Sequence, residues 1–298
     1  MTTPDLLDDI TLADFLARVQ GLRFDAKGLV EGLLSGHHRS PHQGVSIEFA
    51  EHKAYSAGDE LRTIDWKAYA RTDRLQVKRY HHETDLTARI VVDASGSMGY
   101  GDNSTMKYRS GALFALAVAY LLLRQGDRVE LMVVSDHLRG RVPAGVGLGH
   151  FQTLGELLES VAPSGETRLG EVMGDEVART GRRKAVLVIT DGFEDPASFF
   201  PPLRAMVARQ CSLMIVHVLH GDELEFPFEG VREFRSLERP SRLVVEPQMV
   251  RSEYLRRLQK HFETLEREAR ICGIGLMRLR SDLPMEGPLF ELIRRGLP

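Results

Sequence analysis

The chain has 298 residues, of which 43% are hydrophobic and 27% charged, and a formal net charge of -3. A chain of that size and composition buries a substantial core as one large domain or two modest ones, and is neither disordered nor fibrous. The near-balanced charge gives no strong field of either sign, so nucleic acid is not expected as a main partner.

The opening residues MTTPDLLDDITLADF are acidic and lack a cationic start followed by an apolar core. A secretory signal is therefore not expected, and the cytoplasm is the expected compartment. Over residues 11–34 two short amphipathic patterns follow, Leu12, Phe15, Leu16 and Val19 on one face and then Leu29, Leu33 and Leu34 after Gly28. They predict a helical cap. HHRSPHQG breaks regular structure through Pro41 and Gly44, after which SIEFAEHKAY and LQVKRYHHET read as strands on either side of LRTIDWKAYA, a short helical or irregular segment. Residues 1–86 are thus expected to form a small helical and β module, and residues 87–298 a larger domain.

From Arg89 strands and helices alternate, the pattern of βαβ units around a mostly parallel sheet with helices on both faces. Strands are predicted near 88–93, 128–134, 185–190, 211–217 and 273–280, and helices near 106–125, 149–161, 169–180, 196–209 and 249–271. The longest apolar run, Ala112 to Leu123, is shorter than the about 20 residues that cross a bilayer, so it predicts a buried helix and no membrane span. Residues 223–247 fit the alternation poorly, and VREFRSL and RLVVEP predict a hairpin inserted before the last long helix. In that helix Leu255, Leu258, Phe262, Leu265 and Ala269 form a stripe too short for a coiled coil, which predicts packing onto the sheet. Cys211 and Cys272 lie far apart, outside any CxxC pair, and read as free thiols.

The most informative stretch is DASGSM, residues 93–98, directly after the apolar run Ile90 to Val92. In D-x-S-x-S one carboxylate and two hydroxyls at alternate positions can turn toward one point where a buried strand ends. Such hard oxygen donors suit Mg²⁺, which takes only one or two protein carboxylates and keeps waters in its octahedral shell. Alone the hexapeptide reads equally as an Asp/Ser turn. Two further donors stand where later loops reach the same sheet edge: Thr167 in PSGETRL, and Asp191 at the end of AVLVITD. Ligands of open α/β sheets gather beyond the carboxyl ends of the strands, so the candidate metal set is Asp93, Ser95, Ser97, Thr167 and Asp191. His37, His38 and His42, and His81 and His82 beside Glu83 and Asp85, lack cysteine partners or helical i,i+4 spacing and read as solvated residues rather than a zinc site.

DASGSM, GETRLGEV and VITDGFEDP together resemble the metal-ion-dependent adhesion site of von Willebrand factor A domains, with every motif position filled. Upstream, YSAGDELRTIDWKAYARTDRLQVKRY resembles the signature of the bacterial domain-of-unknown-function family fifty-eight, with Gly58, Asp59, Arg62, Asp65, Trp66, Ala70 and Arg71 in order. The resemblance implies a von Willebrand A-like α/β fold, with an antiparallel edge strand at Leu138 to Val142. It implies a Mg²⁺ or Mn²⁺ ion that captures an aspartate or glutamate of a protein partner. Family members are commonly encoded beside MoxR-type AAA+ ATPases, so such an ATPase is an expected partner. Ser95 and Ser97 are expected to coordinate directly, and Asp93 and Asp191 through water. Asp59, Arg62 and Asp65 are expected to form ion pairs that anchor Trp66, with Arg71 beside them, or else a partner-binding surface.

The expected activity is therefore binding, not catalysis. The alternative is a metal-dependent phosphohydrolase using Asp93 as nucleophile. Ser95 stands where a haloacid dehalogenase-like phosphatase needs its second carboxylate, and the chain has neither a GxSxG elbow at Ser97 nor a GxxxxGK(S/T) loop.

Overall fold

The computed structural model describes residues 47–54, 76–82, 87–102 and 105–295. They fall into two units, one within Arg39–Asp85 and the other holding every described residue from Thr87 onward. In the first, β1 (Ile47–Ala54) and β2 (Gln76–His82) pair antiparallel, with a register shift between Phe49 and Glu51. The expected helical cap and Asp59, Arg62, Asp65, Trp66 and Arg71 lie outside the described residues.

The second unit is built on a six-stranded sheet of β3 (Thr87–Asp93), β4 (Arg128–Val134), β5 (Leu138–Gly145), β6 (Ala185–Thr190), β7 (Ser212–Leu219) and β10 (Gly275–Arg280). The spatial order is β10-β7-β6-β3-β4-β5, parallel throughout except for β5, which runs antiparallel to β4 at the edge. A parallel sheet covered on both faces reads as continuous apolar runs. Accordingly, all six residues of β6 and the last six of β4 are buried.

Alternate residues of these strands feed two cores. On one face Ile90, Val92, Leu131, Leu187 and Val216 meet α1 (Lys107–Arg124), α2 (Leu148–Ser160) and, through Leu289 and Leu292, α7 (Glu286–Arg295). On the other face Val91, Met132, Val188 and Ile215 meet α3 (Leu169–Val177), α4 (Pro196–Ala208) and α6 (Pro247–Cys272). α1 is buried on every side from Lys107 to Leu123, as its unbroken apolar run over 112–123 requires. Among the described residues no helix is long and apolar enough to cross a membrane.

In α6 the stripe is buried at Leu258, Phe262, Leu265 and Ala269, and the helix ends at Gly273 in the left-handed conformation, φ 67°. Before it come the five-residue helix α5 (Gly221–Glu225) and an antiparallel hairpin of β8 (Arg232–Arg235) and β9 (Arg242–Val245) that stays apart from the main sheet. Both cysteines are free, Cys211 buried and Cys272 half-buried.

The chain leaves β3 for β4 on one side and returns to β6 on the other. The carboxyl end of β3 is thus a switch point, where the loops diverge and leave a crevice. Asp93 is its last residue.

Candidate metal centre

Asp93 ends β3, Asp191 follows β6, and both side chains are wholly buried. Asp93 Oδ1 accepts from the Ser95 amide at 2.9 Å and Oδ2 from Thr190 Oγ1 at 2.7 Å, so the carboxylate is held by its own loop and by the neighbouring strand. A 3₁₀ turn over Gly96–Gly99 then bends the chain so that Ser95 Oγ and Ser97 Oγ share a hydrogen bond at 3.1 Å. The Thr167 loop is tied to the same turn: Ser164 N donates to Ala94 O at 2.8 Å, and Gly96 N to Gly165 O at 2.9 Å. The Asp191 turn needs Gly192 at φ 66°, a left-handed conformation that side chains disfavour. Two histidines fix it from behind, with His217 Nε2 2.8 Å from Asp191 O and His261 Nε2 2.8 Å from Gly192 O.

Of the five residues read from the sequence, Asp93, Ser95 and Ser97 form one hydrogen-bonded group, and Thr190 links it to the Asp191 strand end. The Thr167 side chain is turned to a different partner. Its hydroxyl donates to Glu238 Oε1 at 2.8 Å, and its amide lies 3.3 Å from Glu238 Oε2. Glu238 sits in the turn between β8 and β9, in the ERPS segment that separates the two runs of the predicted hairpin. An acid of the chain itself thus stands on the loop that was expected to present an open face.

Lys107, the first residue of α1, was also missed. Its ammonium is fully buried and donates to Asp191 Oδ2 at 2.9 Å and to Glu223 Oε1 at 2.7 Å. Burial alone lowers a lysine pKa, but here the charges of Asp191 and Glu223 outweigh it and hold the group above its usual value. Glu223 is positioned by α5, whose start is closed by a box in which Glu223 Oε2 accepts from the His220 amide at 2.8 Å. Phe193 faces the ammonium at 5.3 Å and stacks on His261 at 5.8 Å.

The donors fit a divalent cation. Asp93 is pushed up to about 7, first by burial and then by the charge of Asp191. Lys107 is shared between two other carboxylates, so among the described residues Asp93 has hydrogen bonds but no cation of its own. Two carboxylates and hydroxyls are the hard donors that Mg²⁺ and Mn²⁺ accept. Zinc, which favours Cys and His, is a poor match for a set that has neither. Among the described residues no group of three or more His, Cys, Asp or Glu is arranged to hold a metal, so such an ion would depend on the hydroxyls for its remaining protein donors.

A match to the family described as "Protein of unknown function DUF58" spans residues 51–264. Uncharacterized proteins of Mycobacterium tuberculosis and Mycobacterium bovis are each 29% identical to this chain over 289 residues, covering 93% of it and 87% of their own length. Among solved structures, the conserved hypothetical protein BatB from Bacteroides thetaiotaomicron aligns over 70% of this chain and 96% of its own at 15% identity, with a TM-score of 0.47. An aerotolerance-related membrane protein from Bacteroides fragilis aligns over 71% and 98% at 16% identity, with a TM-score of 0.44. With its signature segment inside a match that covers most of the chain, this protein belongs to the DUF58 family.

Proposed function

We propose that this chain is a protein-binding adaptor whose larger unit is a von Willebrand A-like domain. In this reading a Mg²⁺ or Mn²⁺ ion is held by Asp93, Ser95, Ser97, Thr167 and Asp191. The single observation that carries the reading is the pair of wholly buried carboxylates, Asp93 and Asp191, at the ends of two adjacent parallel strands, with one ammonium shared between Asp191 and Glu223. Leaving that much negative charge in a low-dielectric site is unfavourable without a cation. When bound, the ion supplies a Lewis-acidic position that takes up a carboxylate of a partner.

The residues of this chain do the rest. The Ser95 amide and Thr190 orient Asp93, His217 and His261 fix the Asp191 turn, and Lys107 ties the Asp191 carboxylate to Glu223. Both oxygens of Asp93 are already engaged, which supports a ligand held in place rather than the free nucleophile that a phosphohydrolase requires. The partner follows from the family resemblance: a MoxR-type AAA+ ATPase, with the pair acting in assembly or maturation of other proteins.

The test measures binding of a purified MoxR-type ATPase from the same organism to the full chain, with Mg²⁺, with EDTA, and for Asp93→Ala. The expected result is binding lost under EDTA and in the variant while circular dichroism stays unchanged. Binding that persists through both treatments contradicts the proposal. Turnover of a generic phosphoester, lost in Asp93→Ala, favours the phosphohydrolase instead.

A further inference from the structure

We infer that Glu238 is a built-in ligand of this centre, a carboxylate in cis that takes the position a partner's acid must win. The inference rests on the metal reading above and adds a residue and a regulatory contact to it. Around the hairpin turn Ser236, Leu237, Arg239 and Pro240 are exposed, whereas Glu238 between them is half-buried and directed at Thr167. Its two oxygens take both polar hydrogens that Thr167 offers, the hydroxyl at 2.8 Å and the amide at 3.3 Å.

The backbone is fitted to the same end. A Cβ on Gly96 would lie 2.1 Å from Leu237 O, so the turn between Ser95 and Ser97 accepts the hairpin only because residue 96 has no side chain. The turn is set internally: Ser236 Oγ accepts from the amides of Glu238 and Arg239 at 3.3 and 3.1 Å, and Ser236 N donates to Ser241 O at 2.9 Å. Its base is fixed by Phe234, stacked 5.6 Å from Phe226 and edge-on to Phe228 at 5.3 Å. At the tip Arg239 donates to Glu166 at 3.1 Å, next to Thr167 in the opposite loop.

The latch is also built to open. β8 and β9 have four residues each and, among the described residues, pair only with one another, and an isolated two-stranded hairpin is marginal in water. The Arg239–Glu166 pair is largely solvent-exposed, a class of contact that adds little stability. A tethered carboxylate competes at a high effective concentration, so a stray acid does not displace it, whereas a partner that also engages the hairpin can. This gives the centre a threshold that selects a docked partner over free acids.

The experiment titrates Mn²⁺ into the full chain, comparing wild type, Glu238→Gln and Asp93→Ala by calorimetry and by water-proton relaxation. Glu238→Gln should bind Mn²⁺ about tenfold more weakly. Each bound ion should then relax water faster, because water replaces the lost carboxylate, and added acetate should reverse that gain in the variant while leaving wild type unchanged. If Glu238→Gln matches wild type in affinity and relaxation while Asp93→Ala abolishes binding, the cis ligand is refuted and the metal centre stands. If wild type binds no Mn²⁺, the metal centre itself fails and takes this inference with it.

Discussion

The ammonium of Lys107 lies 2.9 Å from Asp191 Oδ2 with both side chains wholly buried, so the first residue of α1 is bolted to the strand end that carries one of the two central acids. The same nitrogen reaches Glu223 in α5, which makes one lysine the junction of three elements. Removing one partner of a buried ion pair strands the others, at a loss of about 3–5 kcal/mol. Lys107→Met should therefore show a large drop in urea midpoint. It should also gain more stability from added Mg²⁺ than wild type does, because the metal then offsets charge that the lysine no longer offsets. A loss below about 1 kcal/mol would contradict the junction role.

A second buried charge cluster lies at the opposite end of β3. Arg89 donates to Glu130 at 3.0 and 3.2 Å and to Thr180, and Glu176 pairs with Arg141 beside it. Arg89→Met should lower stability by about 3 kcal/mol or more, since Glu130 and Glu176, the latter 3.6 Å from Arg89, both lose their buried cation. Its Mn²⁺ affinity should match wild type, because Arg89 sits at the opposite end of the strand from Asp93. A parallel loss of metal binding would show that the two clusters are coupled.

At Gly96 the clash with Leu237 can be relieved only by moving backbone, because the atom met is a carbonyl oxygen. Gly96→Ala should push the hairpin off the centre. Amide hydrogen exchange over residues 232–245 should accelerate, and the fold should lose about 1–3 kcal/mol. Exchange unchanged from wild type would mean that the hairpin does not depend on this contact.

How far these features could be read in advance depended on the distance over which each is determined. Residues 185–190 were legible as a buried parallel strand because burial on both faces leaves a continuous apolar run, 128–134 because strands and helices alternate, and α1 because 112–123 is apolar without a break. Asp93, Ser95 and Ser97 were legible because one turn sets their relation. Lys107 and Glu238 were not, since their partners lie 84, 116 and 71 residues away, and a lone lysine or a glutamate beside Arg-Pro reads as solvated. Arg89 was hidden for the same reason, its partner Glu130 being 41 residues on. The five residues of α5 are too few for a period to register.

His217 gives the fold a pH dependence that can be isolated. Burial holds its pKa down at about 4, against an ordinary value of 6.5; Asp191 pulls it up, and Arg278 and His261 add to the lowering. The unfolded chain therefore binds a proton that the folded chain refuses between these values, and stability falls as pH drops through that window. Between pH 7.5 and 5 wild type should lose roughly 2 kcal/mol more than His217→Gln, measured by urea unfolding. Equal losses in the two proteins would place the proton uptake elsewhere.

The central claim is that a divalent cation sits among Asp93, Ser95, Ser97, Thr167 and Asp191. Diffraction from crystals grown with Mn²⁺, measured for anomalous signal, tests it most directly. A single strong peak bonded to the hydroxyls of Ser95 and Ser97 is the predicted result, with Glu238 joining the shell in the absence of a partner. Density showing no ion there at saturating Mn²⁺, with Lys107 the only cation among the acids, would contradict it.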